Sequence, residues 1–176
     1  MNGTDGLKTV APERAPVDLN AEAFFGDIVS TLAGTLEDVI GLEDSSAFVS
    51  VVGETLGLRI GALYSAELQG LPREPELIGR LLVDLKHRIG GAFELESVSD
   101  DQIVFVNSRC PFASRVIGRS SLCMMTTNVF GRITAEARGY ARVQLTQTIA
   151  SGAAGCRVVV NLDRSSGTRH GQEFYS

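Results

Sequence analysis

The sequence predicts a single α+β domain, with N-terminal helices packed against an antiparallel sheet built from two hairpins joined by a helix. Three observations carry this. Apolar residues recur at helical spacing through the first half of the chain, the period switches to strand-like alternation after Gly90-Gly91, and the strand-like runs arrive in pairs separated by turn residues. A length of 176 residues suits one core rather than two, and 44% hydrophobic against 21% charged residues is the balance of a chain that folds. The domain is expected over residues 19–162, between a flexible leader (1–18) and a flexible tail (163–176), both rich in Gly, Ser, Thr and charge without periodicity.

Asn20 is placed to cap a first helix, whose apolar positions are Phe25, Ile28, Leu32, Leu36 and Val39 and which Gly41 ends. A second helix runs from an Asp44-Ser45-Ser46 cap to about Ala66, with Phe48, Val52, Leu56, Ile60 and Leu63 on one face. Its Gly53, Gly57 and Gly61 stand four residues apart. Each interior glycine costs roughly 1 kcal/mol relative to alanine, and a smooth ridge for close helix approach offsets that cost, either inside the chain or across a dimer interface. Pro75 opens a third helix with Ile78, Leu82, Leu85 and Ile89 on its face, and Lys86, His87 and Arg88 suit the dipole of its last turn.

Phe93 and Leu95 then alternate with Glu94 and Glu96, Ser99-Asp100-Asp101 turns the chain, and Ile103 to Val106 completes a hairpin. A helix over Ser121 to Arg138 points Leu122, Met125, Val129 and Ile133 inward and stops at Gly139. Tyr140 to Ile149 and Cys156 to Leu162 form the second hairpin across a Gly- and Ala-rich loop.

A net charge of -5 and a pI near 5.1 offer no general attraction to nucleic acid or anionic lipid. No apolar run was expected to reach bilayer-crossing length, which makes the cytoplasm the expected compartment, and three cysteines, an odd number, suit a reducing one rather than a disulfide framework. Phosphate-loop and dinucleotide fingerprints are absent, and the two histidines, His87 and His170, are poorly placed for a nucleophilic triad.

The chemistry-bearing set is Cys110, Cys123 and Cys156, at the end of a strand, the first turn of a helix and the start of another strand. Three thiolates suit zinc or an iron-sulfur cluster but leave a tetrahedral ion one ligand short. Cys123, near a helix N-terminus with Arg115 and Arg119 close in sequence, also fits a low-pKa reactive thiol. As a third alternative, all three are small core residues. Phe105, Phe112, Met124, Met125, Val129 and Phe130 gather around the same segments, either as the lining of a small-molecule pocket or as core.

The stretch from Asn107 through Cys110-Pro111-Phe112, the run Gly118-Arg119-Ser120-Ser121-Leu122-Cys123-Met124-Met125-Thr126, and the closing Gly155-Cys156-Arg157-Val158-Val159-Val160 resemble the methanogen output domain family. That family is similar in turn to four-vinyl-reductase-like sensor domains. The resemblance implies a sensor or signal-output domain. It also implies a metal site in which Cys123 and Cys156 match two cysteine ligands and Cys110 is added, beside an apolar pocket for a hydrophobic effector. The relatives' Glu-x-x-Cys element falls near Leu145 and Thr148, which supply no such ligands. A homodimer through the N-terminal helices is expected. The alternatives are an enzyme, a reductase or hydrolase acting on a hydrophobic small molecule, and a dimeric interaction scaffold using the Gly53-Gly57-Gly61 ridge.

Overall fold

The computed structural model describes residues 16, 17, 19–165 and 170–176. The flexible leader expected over 1–18 lies outside these, Pro16 and Val17 apart. Helix α1 (Ala21–Leu68) starts where Asn20 Oδ1 accepts a hydrogen bond from the Ala23 amide at 2.8 Å. Gly41 interrupts it with φ 84° and ψ 168°, in the positive-φ region that glycine alone enters without strain. The two N-terminal helices anticipated from the sequence are therefore two arms, residues 21–40 and 42–68, joined with no loop between them. Helix α2 (Pro75–Arg88) begins at its proline, and α3 (Cys123–Arg138) ends on Gly139 in the left-handed conformation.

The strands are β1 (Phe93–Val98), β2 (Gln102–Asn107), β3 (Tyr140–Gln147), β4 (Cys156–Asn161) and β5 (Gln172–Tyr175). They form one antiparallel sheet in the order β1-β2-β4-β3-β5. The two hairpins joined by a helix are present, and β4 lies against β2 to make them one sheet. Strand β5 corrects the expected boundary at 162. The segment carrying it has too few residues and too much polar composition to show a strand period, yet Phe174 is buried against α3, where its ring occupies the space a side chain on Gly131 would need.

The core lies between the sheet and the α2 and α3 helices. Ile78, Leu82 and Leu85 of α2 meet Phe130 and Ile133 of α3 and Phe93, Phe105 and Val158 of the sheet. Helix α1 forms a further layer outside α3, and here the structure departs from the predicted faces, of which Leu56 and Ile60 do pack against the core. Phe25, Leu32, Val39, Phe48, Val52 and Leu63, placed on the apolar faces from their spacing, are all exposed, while Ala33, Gly34, Ser45, Val49, Gly53, Gly57 and Gly61 are buried. A Cβ added at Gly53 would stand 2.9 Å from Asn128 Cβ and 3.2 Å from the Met124 carbonyl oxygen, and one at Gly57 would stand 3.2 Å from Val129 Cα. The ridge is thus the seat for α3 within the chain. Rising α1 numbers meet rising α3 numbers, so the second arm and α3 run parallel. By length and composition alone α1 also contains an 18-residue window apolar enough to cross a bilayer, contrary to the expectation from the sequence.

Candidate functional site

Cys110, Cys123 and Cys156 meet at one end of the sheet, and the backbone explains why. Cys156 opens β4 opposite Asn107, the last residue of β2, from which the chain runs directly to Cys110. Gly155 permits that approach, because a side chain there would sit 2.8 Å from the Asn107 carbonyl oxygen. The buried Asn107 side chain fixes the exit from β2, its Oδ1 accepting from the amides of Ala92 and Arg109, each at 3.2 Å. Cys123 is the first residue of α3, delivered there by two 3-10 turns over Ala113–Val116 and Ser120–Leu122.

The sequence reading missed the group at the centre. Lys86, taken as a helix-end cation, is only 4% exposed. Its Nζ donates to Thr126 Oγ1 at 2.9 Å and stands 5.3 and 5.2 Å from the ring centroids of Phe93 and Phe130. Burial pulls its pKa from the ordinary 10.5 to about 8, and Cys110, Cys156 and Cys123, where they ionise, act in the opposite direction. The signal available in the sequence was phase: Lys86 stands four residues after Leu82, on the buried side of α2.

Burial also acts on the thiols. It raises Cys110 above the usual thiol range, with the amide of Phe112 and the Lys86 ammonium working the other way. It pushes Cys123 up to about 11, aided by Cys156, Cys110 and Glu37. The low-pKa thiol expected at Cys123 is therefore corrected. The cations that were to activate it are engaged with α1 carboxylates instead: Arg115 pairs with Asp27, and Arg119 lies 3.9 Å from Glu37. Cys156 Sγ accepts from the Ile149 amide at 3.3 Å. All three cysteines are half-buried free thiols.

Among the described residues, no group of three or more His, Cys, Asp or Glu side chains is arranged to hold a metal ion. The charge that all three thiols already face is a buried ammonium, which opposes a second cation at the same place. The residues present do not fit a preformed zinc or iron-sulfur site.

The residues expected to line a ligand pocket divide into groups. Phe105 and Phe130 are fully buried with ring centroids 4.9 Å apart, and Val129 belongs to the same core. Phe112 packs with Cys110 and Cys123 against a smaller core of Ala33, Val116, Leu122 and Ala150. Met124 and Met125 face Gly53 at the seam between α1 and α3. Open apolar space lies elsewhere, in a groove of about 1260 Å³ between the end of α1 and α2, lined by Leu63, Tyr64, Leu68, Leu77, Leu81 and Ile89 among others.

The loop from Cys110 to Cys123 is fastened to the first arm of α1. Besides the Arg115–Asp27 pair, Ser30 Oγ donates to the Arg115 carbonyl at 2.9 Å and the Ser121 amide donates to Glu37 Oε1 at 2.9 Å. The Arg119 guanidinium lies over Gly34, within 2.5 Å of where a Cβ would be.

The fold is shared with two solved structures of low identity. The phenol-responsive sensory domain of the transcription activator PoxR, with phenol, has TM-score 0.61 and 16% identity, covering 82% of this chain and 75% of its own. A trafficking protein particle complex subunit 3 from Naegleria fowleri, covalently bound to palmitic acid, has TM-score 0.55 and 11% identity, covering 81% of this chain and 97% of its own. No curated protein sequence matches the chain. The family profile described as methanogen output domain 1 matches residues 28–161, a span that takes in the three cysteines, Lys86 and the glycine ridge. The chain belongs to the methanogen output domain 1 family.

Proposed function

We propose that this chain is a sensor or signal-output domain whose stimulus is a chemical change at the cluster of Cys110, Cys123 and Cys156 around Lys86. The observation that carries this is the proximity of three thiols, from three separate elements, to one buried ammonium, with the segment joining two of them bonded to α1. Burial holds Cys110 and Cys123 protonated at neutral pH, so the cluster rests as thiols. Oxidation by hydrogen peroxide, entering through the small thiolate fraction that burial leaves, joins two of them. The two thiols lose two electrons and two protons, an S–S bond forms, and the peroxide is reduced to two waters. Joining Cys123 to either neighbour moves the start of α3 or the 110–123 loop, and the Arg115 and Glu37 contacts carry that movement to the first arm of α1. Support comes from the output-domain family and from the sensory role of one structural neighbour.

Titrating the full chain with hydrogen peroxide and following intact mass and thiol alkylation tests this, with metal analysis of protein purified without oxygen or chelator alongside. The expected result is loss of two alkylatable thiols, blocked by Cys123→Ser, in protein free of stoichiometric metal. Three thiols that stay reduced, or a stoichiometric metal bound by them, would overturn it.

A further inference from the structure

Along α1, Val49, Leu56 and Ile60 turn inward, and most of the other large apolar side chains stand on the side away from α3 and from the 110–123 loop. Phe25, Leu32 and Val39 on the first arm and Phe48, Val51 and Leu58 on the second are 47–75% exposed. Monomeric proteins rarely leave contiguous apolar patches larger than a few hundred Å² uncovered. The outer stripe, with its neighbours Ile28, Val29 and Val52, presents on the order of 1,000 Å² per chain, against roughly 800 Å² per partner in a standard interface. The area is sufficient for a stable pair.

Spacing selects the occupant. Phe25, Ile28, Leu32, Thr35 and Val39 on the first arm and Phe48, Val51, Thr55, Leu58 and Ala62 on the second alternate in steps of three and four, a 3.5-residue repeat that is apolar apart from one threonine in each arm. The phase shifts by two residues between the arms, at the Gly41 break. On the second arm Glu54 is already engaged by Arg132 of α3 within the chain, which leaves spacing and area, rather than charge, to favour a second helix on this face. Asp38, Glu43 and Asp44, grouped around Gly41, make an anionic lipid surface a poor partner.

We propose that the outer face of α1 pairs in parallel with the same face of a second copy of this chain. The two glycine ridges then point outward from the pair, each holding its own α3, and Phe48, Val51 and Leu58 form the seam between the copies. The thiol cluster is fastened to the inner side of the same helix, and the pairing stands whether or not that cluster is the stimulus site.

Sedimentation velocity on the full chain, with Phe48→Glu and Leu58→Glu variants, is the test. The wild-type chain is expected to be a dimer at micromolar concentration, and each variant to weaken association by about 100-fold. Both positions are exposed in the single chain, so the thermal midpoint of the diluted, monomeric protein should not move. A Val51→Cys variant should cross-link to its own counterpart under mild oxidation, with the wild-type chain as control for the native thiols. A monomer throughout the micromolar range overturns the proposal. So does a dimer that ignores both glutamates and fails to cross-link, or a monomer that floats with phosphatidylcholine–phosphatidylglycerol vesicles, which would make a bilayer the cover of the stripe.

Discussion

Helices α1 and α2 solve the same packing problem with opposite faces. In α2 the large side chains Ile78, Leu81, Leu82 and Leu85 are buried and Glu76, Arg80 and Arg88 face solvent, the ordinary amphipathic arrangement. In α1 the buried side is mostly glycine, alanine and serine, joined by Val49 and by partly buried Leu56 and Ile60, and the exposed side carries phenylalanine, leucine and valine. The difference follows from the distance each helix keeps from its neighbour. Helix α2 meets the sheet through long side chains that fill the space between layers, whereas α1 lies so close to α3 that Met124, Val129 and Arg132 leave no room for a Cβ at Gly53 or Gly57. An apolar residue on a helix marks a surface that avoids water, and whether the cover comes from the same chain or another depends on which side the small residues occupy.

The largest expected effect lies on the ordinary helix. Leu82→Ala removes a fully buried side chain from the main core and should cost about 2–5 kcal/mol in denaturant unfolding. A cost below that of an exposed position would break the comparison from the α2 side.

Lys86, on the same helix, sharpens it through pH. Its pKa is about 8 in the folded chain against an ordinary 10.5, so between these values the unfolded chain binds more protons and stability rises with pH. The raised thiols work in the opposite sense. Folded Cys110 and Cys123 hold their protons after the unfolded thiols have lost theirs, so their contribution is full below the ordinary thiol pKa and falls as pH passes through the folded values. The difference in stability between wild type and Lys86→Met reports the lysine together with its smaller effect on the Cys110 thiol. It should move in favour of the wild type by about 3 kcal/mol from pH 7 to pH 10.5, the equivalent of its shift. A flat difference would place the ammonium in water.

Much of this was legible in the sequence. The order of helices and hairpins followed from the change of period at Gly90-Gly91, and the places of the cysteines at element ends were readable from the same pattern. What escaped it depends on neighbours that periodicity does not name. The faces of α1 were assigned to the large residues because spacing reports where apolar groups align, and Phe48 aligns as well toward a partner chain as toward a core. Lys86 was read as a dipole partner because charge at a helix end is usually solvated, and its burial comes from Phe93, Phe130 and Thr126 on distant elements. Strand β5 has four residues and one buried side chain, Phe174, too little for any pattern.

The most direct test compares two adjacent residues, Gly57→Leu and Leu58→Ser, by unfolding free energy at a concentration low enough to keep the chain monomeric. Gly57→Leu should destabilise by about 1–3 kcal/mol, because the added side chain meets Val129 and Arg132, even after the ~1 kcal/mol that leaving glycine returns to the helix. Leu58→Ser should stay within about 0.5 kcal/mol of the wild type. A tolerated leucine at 57 together with a costly serine at 58 would mean that α1 faces its core with the large residues and would contradict the inverted packing.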